Sequence, residues 1–277
     1  MTFDPERLGR SKADLAATLK TLRKRAGLSQ VRLAQRCNMS QTKVSNIESG
    51  KATPNLVDVE LILRALDAPP QLVSEVSALA RIANTEWQDD RSLLRRGLDK
   101  RQNELACLER SSREFRYFLP TMITGLLATP EYVRASVAEV PGDQSKTIAK
   151  KLERQTVLYD RSKRFTFVLT EQAVRWPLVP PAALAVQIDR LASLTHLPNI
   201  RLGVIPIEPG VKPGPLSVFT VYDDSMATVE TPTGVLVFRD NRDVSAYLDE
   251  FAIHKAHAVF DEQAREKLAE WASLCRS

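Results

Sequence analysis

Residues 27–54 read Gly-Leu-Ser-Gln-Val-Arg-Leu-Ala-Gln-Arg-Cys-Asn-Met-Ser-Gln-Thr-Lys-Val-Ser-Asn-Ile-Glu-Ser-Gly-Lys-Ala-Thr-Pro, two short helices separated by a tight turn. Ser29 can cap a helix over 30–37 whose inner face is Leu33, Ala34 and Cys37. Asn38 stands where the chain must reverse, and asparagine is among the few side chains that tolerate a positive φ. Ser40 can cap a further helix over 41–49, with Val44 and Ile47 inward and Gly50 closing it. The outward face of that helix is then Gln41, Thr42, Lys43, Ser45 and Asn46.

Working outward from this pair, Ser11 with Asp14 forms a capping-box pattern, followed by Leu15, Leu19 and Leu22 on one helical stripe that ends near Gly27. On the other side a helix can start after Asn55, bury Leu56, Val59, Ile62, Leu63 and Leu66, and stop before Pro69-Pro70. A fifth helix over 71–84 shows Leu72, Val76, Leu79 and Ala83. Residues 1–84 are therefore expected to form a five-helix domain around one core.

Charge gives this domain a candidate role. From Leu15 to Ile47 there is no Asp or Glu, yet Lys20, Arg23, Lys24, Arg25, Arg32, Arg36 and Lys43 are present, as suits a surface laid against phosphates. The outward side chains of the second quoted helix have the chemistry of base readers. Gln41 and Asn46 can bond adenine bidentately, Lys43 can reach guanine, Thr42 can touch a thymine methyl, and Ser45 can bond several base edges. Arg23, Gln30, Ser40 and Lys51 are the expected phosphate contacts, which set register without reading sequence. Any one of these residues could equally belong to a solvated basic face; the constellation points to double-stranded DNA. One such helix reads only a few base pairs, so a homodimer is expected.

The pattern Leu-Ser-Gln-x-x-Leu-Ala, then Ser-Gln-x-x-Val-Ser-x-Ile-Glu-Ser-Gly-Lys and Thr-Pro, resembles the phage-repressor class of helix-turn-helix domains in xenobiotic-response-element (XRE) regulators. The resemblance covers about the first quarter of the chain. It implies that Glu48 is a structural acid near the end of the recognition helix, not a base reader.

Composition bounds the rest. The 277 residues, 43% hydrophobic, can bury two cores, and a net charge of +5 suits a polyanionic partner. No run of 18 apolar residues occurs and the first ten residues are too charged for a signal peptide, so a cytoplasmic protein away from membranes is expected. Cys37, Cys107 and Cys275 fit no metal-ligand spacing and read as reduced thiols, Cys37 in the core.

Residues 85–103 read as a charged linker, with Arg91, Arg95, Arg96, Lys100 and Arg101 among Asp89, Asp90 and Asp99. They form a solvated helix, a second phosphate-contacting arm, or both. Beyond them the pattern becomes mixed. Helices are expected over 104–113, after Thr129-Pro130, over 145–159, after Pro180-Pro181, over 242–260 and over 262–275. Strands are expected over 115–119, 165–170, 200–207, 216–222, 226–231 and 235–238. The turn-rich loop 208–215 reads as a connection between two of them. The fold class is therefore α+β: the helix-turn-helix domain, then a mixed domain over 104–277 with a small, largely antiparallel sheet covered by helices.

A second resemblance is carried by Leu-Pro-x-x-Ile-x-Gly-Leu-Leu-x-Thr-Pro-Glu-Tyr (119–132), Leu-Glu-Arg-Gln (152–155), Leu-Thr-Glu-Gln-Ala (169–173) and Gln-x-x-x-Leu (187–191), followed by Val-Ile-Pro, Phe-Thr-Val and Val-Glu-Thr. These are similar to the uncharacterised C-terminal domain of actinobacterial developmental regulators, which pair it with the same helix-turn-helix. The resemblance implies a transcription factor whose partner is a small protein encoded nearby, with antitoxin-like or morphogenetic roles. The chain departs from that pattern at Thr-Gly-Leu-Leu-Ala (124–128) and Thr-Glu-Gln-Ala (170–173).

An enzyme is not expected, and neither is a cofactor. Glu250, His254 and His257 fall on one helical face and could hold a metal, but no fourth ligand is visible, and a polar stripe on an amphipathic helix explains them as well. There is no phosphate-binding glycine loop and no nucleophile elbow. The expected function is sequence-specific DNA binding by the first domain and partner-protein binding by the second. The alternative is a one-component regulator that senses a small molecule.

Overall fold

A computed structural model describes residues 5–89, 98–231 and 234–276. The chain divides into two compact units, Met1–Trp87 with Leu236–Asp243, and Gln88–Val235 with Val244–Ser277. The expected division ran straight along the chain; the observed one returns residues 236–243 to the first unit.

The first unit is built from α1 (Pro5–Arg25), α2 (Gln30–Arg36), α3 (Gln41–Glu48), α4 (Leu56–Ala65) and α5 (Pro70–Asn84). Three caps set the starts of its short helices: the side chains of Ser29, Ser40 and Asn55 accept from the backbone N–H of Arg32, Lys43 and Asp58. The α2–α3 reversal is made by Asn38 at φ 53°, and Gly50 at φ 71° closes α3. The first helix starts earlier than the Ser11 signal suggests, because Pro5 is compatible with a first helical turn. Leu15, Leu19, Leu33, Val44, Ile47, Val59, Ile62 and Leu63 form the centre of one core. Cys37 lies in that core, its thiol 3.6 Å from the Leu61 carbonyl and pushed up by burial, with the Asp58 charge adding to the effect.

The stretch expected as a linker carries β1 (Thr85–Asp89) and the start of α6 (Leu98–Ser111). Arg91, Arg95 and Arg96, considered above as a phosphate arm, lie outside the described residues.

The second unit contains α6, β2 (Glu114–Leu119), α7 (Pro130–Ala135), α8 (Ser145–Arg154) with a 3-10 turn to Tyr159, and β3 (Arg164–Thr170). There follow α9 (Glu171–Arg175), α10 (Pro181–Leu194), β4 (Ile200–Ile205), β5 (Phe219–Tyr222) and β6 (Met226–Thr231). The chain ends with β7 (Gly234–Phe238), α11 (Asn241–Ala256) and α12 (Asp261–Leu274). Its strands pair in the order β6-β5-β2-β3-β4.

The expectation of a small, largely antiparallel sheet is corrected here. Strands β2, β3 and β4 are parallel to one another, whereas β5 runs antiparallel to β2 and β6 antiparallel to β5. The physical reason lies in the connections: β2 to β3 and β3 to β4 are helical crossovers, and a crossover brings the chain back to the same end of the sheet. Helices then cover both faces, so Phe167, Val168 and Leu169 are buried in succession where alternation would leave one face wet. The parallel register sets Phe115 beside Phe165 and Tyr117 beside Phe167, and both pairs stack, with ring centroids 4.6 and 4.9 Å apart.

Candidate nucleic-acid interface

The face of α3 rests on a buried ionic group. Arg23, near the end of α1, donates from Nε to Glu48 Oε1 at 2.5 Å and from Nη2 to Glu48 Oε2 at 2.8 Å. Its Nη1 donates to the Leu28 carbonyl at 2.6 Å. Gln30 at the start of α2 donates to the same Glu48 Oε2 at 2.9 Å, and Gln41 at the start of α3 donates to Gln30 Oε1 at 3.2 Å. One continuous chain of bonds therefore runs from the interior to the first residue of α3, and it fixes the two helix starts relative to each other. Burial alone would push the Glu48 carboxyl up. The bonds from Arg23 and Gln30, with the charges of Arg23 and Lys20, outweigh burial and hold it below the usual carboxylate range. The bond to Glu48 also raises the Arg23 guanidinium.

The expected contacts separate into distinct groups. Gln41, Thr42 and Lys43 are exposed, and Ser45 and Asn46 are half-buried along the same helix. Lys43 is also engaged within the fold, its Nζ 2.7 Å from Asp58 Oδ1. Among the described residues the Asn46 side-chain amide has no hydrogen-bond partner in the protein, while its carbonyl accepts from Ala52 and Ser49. Ser40 caps α3 through its side chain, and Lys51 is exposed just beyond α3.

Arg23 is the expectation that geometry revises. It is only 8% exposed, and each of its guanidinium nitrogens is committed, so it acts as a strut beneath the surface and not as a phosphate contact. Gln30 is half-buried and shared between the strut and Gln41. Sequence reasoning did not find Asp58, whose carboxylate receives Lys43 and whose backbone N–H donates to Asn55 Oδ1. An acid three residues after a capping Asn, opposite the one lysine of α3, is the signal that could have revealed it.

The second unit turns its distinctive motif inward. Gln187, fully buried, accepts from Thr129 N–H at 2.6 Å and donates to the Leu127 carbonyl at 3.0 Å. Gln155 donates to the carbonyls of Gly125 and Ala128, both at 2.8 Å, and accepts from Arg190. The quoted segments 119–132, 152–155 and 187–191 thus meet at one place and stitch the loop before α7. The helical stripe considered for a metal is spent otherwise. His254 stacks on Phe118 with centroids 4.0 Å apart and bonds Glu250 at 2.9 Å, whereas His257 bonds the Lys212 carbonyl at 2.8 Å. No group of three or more His, Cys, Asp or Glu among the described residues is placed to hold a metal ion. Among the same residues no helix is long and apolar enough to cross a membrane.

Comparison with known proteins finds one family model for the start of the chain and another for the remainder. A family described as a helix-turn-helix domain (HTH_31) matches residues 14–76, and one described as a domain of unknown function (DUF5753) matches residues 102–270. No curated protein matches the chain. Solved structures with some likeness include NucT from Helicobacter pylori, at 10% identity and a TM-score of 0.37, over 64% of this chain and 98% of that one. Another is TrmBL2, an archaeal chromatin protein, at 12% identity and a TM-score of 0.33, over 73% of this chain and 64% of that one. The second match alone spans more than half of the sequence: the chain belongs to the DUF5753 family, with a helix-turn-helix domain ahead of the family domain.

Proposed function

We propose that this protein is a sequence-specific DNA-binding transcription regulator of the XRE type, acting in the cytoplasm as a homodimer on double-stranded DNA. The observation that carries the reading is the Arg23–Glu48–Gln30–Gln41 chain, which spends its charge beneath the surface and presents an ordered polar helix start above it. Gln41, Thr42, Lys43, Ser45 and Asn46 read bases; Ser40, Lys51 and Gln30 meet phosphates. Lys43 leaves Asp58 to do so, at small cost because the lysine is about half exposed.

The DUF5753 domain is the input module, and it performs no catalysis. In this reading its input is a small protein encoded nearby, as in the actinobacterial antitoxin-like systems that the sequence resembles. A small molecule is the second reading, favoured by an open cleft of about 280 Å³ in the second unit, between its sheet and α7–α8. The test is fluorescence anisotropy of the full chain on duplex DNA at low salt. The expected result is binding that weakens steeply as salt rises, and no duplex binding at any salt would overturn it.

A further inference from the structure

The sense of the strands gathers exposed apolar residues at one end of the second unit. Strands β2, β3 and β4 end there, and β5, which runs the other way, begins there with Phe219 beside Phe118. The connection from β4 to β5 therefore leaves and re-enters the sheet at the same end. It carries Ile207, 72% exposed, and Leu216, 95% exposed, the two most exposed large hydrophobic residues among those described. The loop is tethered at two points: Ile207 N–H donates to Glu171 Oε2 at 3.0 Å, and His257, just past α11, bonds the Lys212 carbonyl at 2.8 Å. Glu171 also pairs with Arg175, next to Trp176, which is 50% exposed.

Beside Leu216 lies an open groove of about 230 Å³ lined by Phe118, Phe219, Ala246 and Tyr247, with Ser217 and Glu250 completing it. Phe219 packs on Phe118 and Tyr247 with ring centroids 5.3 and 5.2 Å apart, which gives the groove an aromatic wall. At ~30 Å³ per water it has room for about seven waters, ample for the side-chain carbons of one leucine. Leu216 borders this groove yet remains in water, so one surface offers an apolar projection and, next to it, an unfilled apolar recess.

We infer that this end of the second unit is a contact between two copies of the chain, related by a two-fold axis that sets Leu216 of each copy in the groove of the other. A two-fold contact requires a surface complementary to itself. Projection and recess meet that requirement for shape, and Glu208 and Lys212, both exposed on the same loop, meet it for charge. A partner of another kind would call for only one of the two shapes. Ile207, Leu216 and Trp176 leave on the order of 400 Å² of apolar surface in water, about half of the ~800 Å² that each partner buries in a stable contact and close to its apolar share. The inference rests on the homodimer reading above and names its contact surface; it is independent of whether α3 reads DNA.

The experiment is sedimentation equilibrium of the full-length protein without DNA, from about 0.5 to 50 μM. The expected result is reversible association to twice the chain mass. Leu216→Asp places a charge on a side chain that a single copy leaves in water, and Ala246→Trp fills the groove from an exposed position on α11. Each should weaken association at least tenfold with circular dichroism unchanged, whereas Tyr159→Asp, exposed ahead of β3, should not alter it. Mixed in equal amounts, the first two variants should associate at least tenfold more tightly than either alone, because the mixed pair keeps one intact contact of Leu216 with its groove. A parent that stays monomeric rejects this inference and the homodimer reading together. A dimeric parent rejects the contact surface alone if either of the first two variants associates as it does, if their mixture shows no recovery, or if Tyr159→Asp dissociates as readily as they do.

Discussion

The two units use buried polar groups in opposite ways. In the first, Arg23, Glu48 and Gln30 lie beneath a surface and hold in order side chains that point away from the protein. In the second, Gln155, Gln187 and Arg190 point into the protein and satisfy the backbone of their own loop. Both groups sit within recognisable sequence motifs. The contrast teaches that a motif marks an arrangement, and only the direction in which its polar atoms face says whether that arrangement serves recognition or folding.

The strongest way to break this comparison is to remove the acid of the first unit. Glu48→Ala leaves the Arg23 guanidinium buried without its partner, and should cost the first unit on the order of 3 to 5 kcal/mol, read as a lowered melting temperature in calorimetry. A change below about 1 kcal/mol would show that the ionic group holds nothing. The same carboxyl has an acid limb. Its folded pKa is depressed, so its contribution is full above the unfolded value near 4.5 and is lost as pH falls through the lower folded value. The parent protein should therefore lose stability in that window more steeply than Glu48→Gln, as acid titrations followed by circular dichroism will show.

Gln187→Ala is the counterpart in the second unit. It strands the Thr129 N–H and removes a donor from Leu127, which should cost about 1 to 3 kcal/mol in the second unit while duplex affinity stays within twofold. A loss of DNA binding equal to that of an α3 variant would erase the distinction between the units. On the outward side, Asn46→Ala should lose about 1 to 3 kcal/mol of discrimination at one base position per half-site with melting unchanged. Equal weakening on operator and random duplex would remove Asn46 from the base readers. The smallest effect is expected for Asp58→Asn, which releases the half-exposed Lys43 from a buried carboxylate and should cost about 0.5 kcal/mol of stability in urea titrations.

Much of the first unit was legible because its signals are local. Ser29, Ser40 and Asn55 cap the helices they precede, Asn38 takes the positive φ, and the apolar spacing around Val44 and Ile47 decides which face of α3 is free. The role of Arg23 was not legible, since its partner lies 25 residues away and a basic residue near phosphate-facing neighbours reads as one of them. In the second unit the strands were found but their sense was not: direction depends on the crossovers at 120–163 and 171–199, and side-chain alternation carries no record of it. The cleft between the sheet and α7–α8 was invisible for a related reason. Tyr117, Met122, Lys151 and Tyr222 are brought together only by the pairing of β2 with β5 and the placement of α8.

The central claim is that the α3 face reads DNA sequence, and it is tested most directly by selection from a randomised duplex pool with the full chain, followed by sequencing of the bound fraction. The account predicts an enriched site with two related half-sites, and loss of that enrichment for Gln41→Ala with Asn46→Ala while weak binding to all sequences persists. A parent protein that retains duplex from the pool with no enrichment, or a double variant that enriches the same site, would contradict it.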